Sequence, residues 1–193
     1  MKPPIVIGLD ASWRNTGIAI LDDDKILHLE LIRTYKGKKS HIDDIQKNGE
    51  KIRATLVSLF AQYSPGLIAY EQADFNRSFR QDLYRTGEQA NLKREGQARE
   101  SLARVEMIIA KICWDYDYHL VSLGANHVKN SFGAKSKEGV ASLVAAQFSD
   151  QITVINEVLY FGEKQVSDHE SDAISIAFVA AKEDRQQELA QVQ

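Results

Sequence analysis

Three carboxylates stand where short apolar runs begin or stop. Ile5-Val6-Ile7-Gly8-Leu9 ends on Asp10, Leu67-Ile68-Ala69-Tyr70 ends on Glu71, and Asp172 opens an apolar helical spacing through Ala173, Ile176, Ala177 and Ala180. An unpaired charge within such a face is costly, and a coordinated cation removes the cost. Carboxylate oxygens suit hard divalent ions such as Mg2+, which keep several waters and bind through few protein groups, so acids from separate elements meeting at one sheet edge are enough. Two such ions about 4 Å apart can supply hydroxide, neutralise a phosphate and stabilise a leaving oxygen, the three needs of phosphodiester hydrolysis. Taken singly, Asp10 could instead cap the turn into Ser12-Trp13, and Glu71 could be a solvated residue at the end of its strand.

Acids so far apart in the chain need a scaffold to bring them together. Pro3 and Pro4 precede the first run and polar Ser12, Arg14 and Asn15 follow it, which predicts a buried strand ending at Asp10. Thr16 to Leu21 predicts a second strand, Asp22-Asp23-Asp24 a turn, and Ile26 to Arg33 a third strand with Ile26, His28, Glu30 and Ile32 on one face. Short links between these strands imply an antiparallel meander. Ile42, Ile45, Ile52, Leu56 and Leu59 recur near helical spacing, so a helix capped by Ser40 is expected from about Ser40 to Tyr63. Pro65-Gly66 ends it, Leu67 to Glu71 is a fourth strand, and Gln72 to Arg94 is polar with weak periodicity, as in a loop with a short helix.

Ala98, Leu102, Val105, Ile109 and Ile112 mark a helix from Glu95 to about Asp117. Tyr118 to Leu123 predicts a fifth strand and Lys137 to Phe148 another helix, and Ser167 and Glu170 have the spacing of a capping box that starts the last helix. The expected fold class is α/β: a mixed five-stranded sheet, an antiparallel meander plus two parallel strands, flanked by helices. One domain over residues 1–185 is expected, with a polar tail over 186–193.

With 44% apolar residues the 193-residue chain can bury one core. Cys113 is the single cysteine and lies among Ile108, Ile109 and Ile112, which predicts a buried thiol in a reducing, cytoplasmic-type compartment. No apolar run approaches the roughly 20 residues needed to cross a bilayer, so no membrane association is expected. The net charge of −3 looks unsuited to nucleic acid, but the charge is unevenly spread. Between Arg77 and Arg104, seven basic residues (Arg77, Arg80, Arg85, Lys93, Arg94, Arg99, Arg104) face four acids (Asp82, Glu88, Glu95, Glu100). A solvated helix face of mixed charge is the plainer reading of that stretch.

Taken in order, these residues resemble the RuvC family of Holliday-junction resolvases. Gly8-Leu9-Asp10 with Ser12, Arg14, Thr16 and Gly17 looks like the family's opening motif, and Tyr70-Glu71-Gln72 like its second acidic motif. Gly96-Gln97-Ala98-Arg99 resembles the start of its long central helix, Val128-Lys129 and Lys137 its two basic active-site positions, and Asp172-Ala173 with Ile176-Ala177 its C-terminal motif. The resemblance implies an RNase H-like fold and a crossover-junction endodeoxyribonuclease making paired symmetric nicks. It implies Asp10, Glu71, His169 and Asp172 as ligands of two Mg2+ or Mn2+ ions per site, with Lys129 and Lys137 as phosphate or transition-state contacts. It also implies a homodimer on branched DNA, with the helix from Glu95 in the interface; whether branch-migration machinery is a further partner is not decided by these residues.

Two departures from the family pattern shape the expectations. His169 stands where many members have Asp; three residues from Asp172, it shares that residue's helix face and can reach the same metal. Asp168 and Glu170 are better read as first-turn acids that favour the helix dipole, Glu170 closing the capping box. The second departure is a longer, more basic segment from Ala73 to Glu95. Phe75, Phe79 and Tyr84 there could stack on unpaired bases while Arg77, Arg80 and Arg85 hold phosphates. The full expected DNA-binding set adds Arg14, Lys93, Arg94, Lys129, Lys135 and Lys137.

Rival readings share parts of this pattern. The same acids would serve a nuclease acting on other branched or flapped DNA, or on RNA–DNA hybrids. A sugar-kinase or actin-like ATPase also joins an aspartate-ended strand to a hairpin containing Gly and Thr, but it requires a second Asp-x-Gly phosphate motif and a Gly-Gly adenosine motif, which the sequence lacks. An inactive DNA-binding scaffold would not need all four ligand positions filled.

Overall fold

Strand alternation sorts the apolar side chains between two cores, one on each face of a central sheet. A computed structural model describes residues 4–34, 42–72, 89–134 and 136–191, with 89–99, 137–138 and 191 described by backbone alone. β1 (Ile5–Asp10), β2 (Asn15–Asp22) and β3 (Lys25–Arg33) form the antiparallel meander. β4 (Leu67–Gln72) pairs with β1 in parallel and β5 (Leu120–Gly124) pairs with β4 in parallel, giving the order β3-β2-β1-β4-β5.

Ile7, Leu9, Ile18, Ile20, Ile32 and Ile68 face one core, against α1 (Ile42–Tyr63) and α2 (Gln89–Asp115). Val6, Ala19, Leu21, Leu67, Ala69 and Leu123 face the other, which is closed by α3 (Ala125–Phe132), α4 (Lys137–Gln147) and α5 (Asp168–Gln191). Both parallel strands and the mixed sheet agree with expectation. α2 starts at Gln89, before the expected Glu95, and α5 continues as a helix to Gln191. Ser40 lies outside the described residues. Among the described residues no helix is long and apolar enough to cross a membrane.

One face assignment is corrected. Ile20 pairs with His28 and Leu21 with Ile26, so Leu27 is an extra residue in β3. This bulge reverses the alternation. Ile26 therefore packs in the α5 core, whereas the His28 ring lies tilted against Tyr63 of α1 and Ile32 lies in the α1–α2 core.

A second small sheet, not anticipated from the sequence, fills the interval before α5. β6 (Ile152–Ile155), β7 (Val158–Phe161) and β8 (Lys164–Gln165) are antiparallel, and Asn156 and Glu157 turn the first hairpin at φ 49° and 66°. Its approach is fastened to the edge strand β3. The Gln151 side-chain amide donates to Ile26 O (2.9 Å) and its oxygen accepts from Ile26 N (2.8 Å).

Cys113 lies in the α1–α2 core, as its neighbours in sequence imply. Burial pushes its thiol up to about 11. Because the thiolate is the reactive form, the folded protein is expected to resist an aromatic disulfide reagent at pH 8 and to react promptly in denaturant. Equal labelling rates in the two conditions would contradict this burial.

Candidate active site

The switch point of the sheet lies between β1 and β4. The chain leaves β1 on one side through β2 and β3, crosses back over α1, and returns on the other side as β4. Ligands of open α/β sheets bind beyond the carboxyl ends of strands at such a point. Asp10 ends β1, and Glu71 is the penultimate residue of β4.

Register and alternation put the two acids together. Gly8 pairs with Ala69 and Leu9 with Tyr70, so Asp10 and Glu71 come next in adjacent parallel strands. Val6 and Ala69 face the α5 core, and Asp10 and Glu71 share their parity. Tyr70 points to the opposite face, where burial and the nearby Glu106 carboxylate raise its pKa against a lowering hydrogen bond to Ser122.

α5 completes the arrangement because two glycines let it lie directly on the sheet. A Cβ at Gly17, opposite Asp10 in the β1–β2 register, would come within 2.1 Å of His169 O. A Cβ at Gly8 would come within 2.2 Å of Ala173 O. The first turn of α5 thus sits over the end of β1, and His169 Nδ1 lies 2.5 Å from Asp10 Oδ2. An ionised Asp10 only accepts, so Nδ1 donates. Asp172 follows His169 by three residues and is half-buried.

The start of α5 is built as its sequence implies. Ser167 N and Oγ donate to Glu170 Oε2 (2.9 and 2.7 Å), and Glu170 N donates back to Ser167 Oγ (3.3 Å). Burial pushes the Glu170 carboxyl up, but hydrogen bonds from Lys164 and Ser167 and the Lys164 charge outweigh it and hold the group below its usual range. The loop after Asp10 is pinned by Thr16 Oγ1 donating to Ser12 O (2.6 Å) and Thr34 Oγ1 to Trp13 O (2.7 Å). Arg14 is exposed in that loop, and Arg104 lies over the Trp13 ring at 5.6 Å.

The remaining expected residues divide by what is described. α3 begins where β5 ends, and Gly124 of β5 pairs with Gln72 of β4, so this short helix leaves the sheet at the carboxylate end. Lys129 is half-buried on it. Lys137 is the first residue of α4, whose N-cap Ser136 accepts from Gly139 N (3.2 Å); the Lys137 side chain is not described. Lys93 and Arg94 are placed on α2 by backbone alone. Phe75, Arg77, Phe79, Arg80, Tyr84, Arg85 and Lys135 lie outside the described residues.

Three carboxylates and an imidazole, on elements that meet at one sheet end, suit a divalent ion by donor type. Among the described residues, no three His, Cys, Asp or Glu side chains are gathered closely enough to enclose one. Asp10 and His169 are hydrogen-bonded to each other. A metal taking both as ligands would replace that hydrogen bond. Sequence reasoning missed Lys164, and it had Gly8 and Gly17 only as parts of the opening motif, without their role in seating α5; a glycine directly across a hairpin from a strand-end aspartate is the signal that points to that role for Gly17.

A mixed sheet in the order 3-2-1-4-5 with helices on both faces is the RNase H-like class of fold. Within that class, the chain has the fold of RuvC. It superposes on Thermus thermophilus RuvC in complex with Holliday junction substrate with a TM-score of 0.68, at 16% identity over 94% of this chain and 96% of that one. A second T. thermophilus RuvC structure gives 0.63 at 18% identity over 95% and 96%. The yeast mitochondrial Holliday junction resolvase gives 0.55 at 13% identity, over 97% of this chain and 84% of that one. No protein-family model and no curated protein matches the sequence.

Proposed function

We propose that this chain is a metal-dependent endonuclease that resolves four-way DNA junctions. The observation that carries the reading is the convergence of Asp10 and Glu71, adjacent on one face of the sheet, beneath the helical turn that bears His169 and Asp172. The junction as substrate is supported by the shared fold with RuvC, which was solved on Holliday junction DNA.

In this reading Asp10, Glu71, His169 and Asp172 hold two divalent ions. Bound there, the ions supply a hydroxide nucleophile and screen the developing charge on phosphate and leaving oxygen. The protein contributes placement: β1 and β4 fix two carboxylates by main-chain pairing, and the packed glycines fix the helix over them. Lys129 and Lys137 neutralise the scissile phosphate and its neighbours. Arg14 and the basic residues between Arg77 and Arg94 follow the flanking backbone, with Phe75 and Phe79 stacking on unpaired bases.

A homodimer fits a substrate with two-fold symmetry, because it places one active site on each of two opposed strands. α2 has a face suited to the contact. Met107 (72% exposed) and Trp114 (86% exposed) stand seven residues apart on its outer side, away from the buried Val105, Ile109 and Ile112. Large apolar side chains on such a stripe favour helix pairing.

The reading is tested by offering the protein synthetic four-way junctions, flaps, forks and linear duplexes with Mg2+ or Mn2+. Preferential cleavage of the junction is expected, and equal cleavage of flaps would favour a nuclease for other branched DNA. The imidazole ligand adds a metal prediction. Nitrogen donors raise affinity for Mn2+ relative to Mg2+, so at matched concentration Mn2+ should support cleavage at least as fast. Faster cleavage in Mg2+ would count against His169 as a ligand.

A further inference from the structure

Glu170 is 1% exposed, yet it is a carboxylate seated between His169 and Asp172. Beyond the Ser167 hydrogen bonds of the capping box, its Oε1 is ion-paired with Lys164 Nζ. The same ammonium donates to Leu29 O of β3 at 2.7 Å. Lys164 therefore ties the first turn of α5 to the edge strand of the main sheet. Its own position is fixed by a two-residue turn, since Phe161 pairs with Lys164 and Gly162 adopts φ 61°. Val166 N, donating to Leu159 O at 2.9 Å, closes the path from this hairpin to the helix.

We infer that Lys164 is a positioning residue: through its ion pair with Glu170 it sets the rotation of the first turn of α5, and thereby the placement of His169 and Asp172 over Asp10. This rests on the nuclease reading for its consequence in activity, though not for its geometry. A buried carboxylate that loses its charge partner is costly, and the turn can relieve that cost by rotating Glu170 toward water. At about 100° per residue in a 3.6-residue turn, His169 and Asp172 must move with it. The Gly17 contact at His169 O leaves no space for that motion without loss of the Asp10–His169 hydrogen bond. Lys164 is thus the side chain through which the second sheet is ion-paired to the first turn of α5.

The test separates placement from simple stability. In the metal-free protein, the His169 Nδ1–H bonded to Asp10 should give a downfield proton resonance, assigned by its loss in His169→Gln. Lys164→Met is expected to shift or abolish that resonance well below its melting temperature. Turnover on a four-way junction should fall about 10- to 100-fold, the range for residues that orient metal ligands, with KM unchanged. Lys164→Arg should restore both. Should Lys164→Met not fold, Lys164→Gln carries the same readouts, since it keeps a donor and loses the charge.

A Lys164 variant with a lower melting temperature but an unchanged His169 resonance and turnover would overturn the proposal. If the unaltered protein cleaves no branched DNA while the resonance still depends on Lys164, the nuclease reading fails and the positioning role stands.

Discussion

Asp10→Asn is expected to lower junction cleavage by more than about 100-fold, the upper range for residues that only orient metal ligands, because it removes a proposed ligand itself. The substitution keeps the size of the side chain and leaves an amide oxygen to accept from His169 Nδ1, so the contact that seats α5 survives. What it removes is the negative charge that a hard divalent ion requires from its oxygen donors. The expected pattern is therefore a large loss of single-turnover rate with little change in melting temperature and in junction affinity measured in Ca2+. Activity within tenfold of the unaltered protein would remove Asp10 from the ligand set.

Gly17→Ala should have the largest effect on stability for the smallest change in mass. The added methyl would lie 2.1 Å from His169 O and 2.4 Å from its carbonyl carbon, both main-chain atoms of a helix that is also clamped at Gly8. Overpacking ordinarily costs about 1–3 kcal/mol, and contact with main chain rather than a flexible side chain puts this case at the top of that range or above. Because the helix must lift at the turn that carries His169, cleavage should fall together with stability. Gly49→Ala provides the contrast: its Cβ would meet only Ile108 Cδ1 at 3.6 Å and Trp13 Cη2 at 3.8 Å, both ordinary contacts. Gly49 is inside α1, so the alanine should stabilise by roughly 0.5–1 kcal/mol in urea unfolding. A neutral Gly17→Ala would mean that α5 does not rest on β2 as described.

The strong features of this fold were legible because each is a local pattern with one physical cause. Apolar runs that stop on Asp10 and Glu71 gave strand ends, and Ser167 with Glu170 gave a helix start; the structure has both. The burial of Cys113 followed from its apolar neighbours in the same way. The bulge at Leu27 was not legible, because period-two alternation cannot reveal an inserted residue until the partner strand is known. β6 and β7 escaped notice for a related reason: they are four residues long, and Val154 and Ile155 are both exposed, which erases alternation. α3, at eight residues, is too short to display a helical period.

The site itself was half legible. Residue type and strand position singled out the acids, but their convergence depends on β1–β4 register and on helix-to-sheet contact, both set in three dimensions. Gly8 and Gly17 matter through atoms more than 150 residues away in the chain, and Lys164 reaches Glu170 at a separation that no helical spacing would flag.

The most direct test maps, at nucleotide resolution, the cuts made in a synthetic four-way junction by the unaltered protein and by Asp10→Asn in Mn2+. Paired nicks at symmetry-related positions on two opposed strands are expected from the unaltered protein, with none from Asp10→Asn. Cuts scattered along the arms, or an equal pattern from both proteins, would contradict the account.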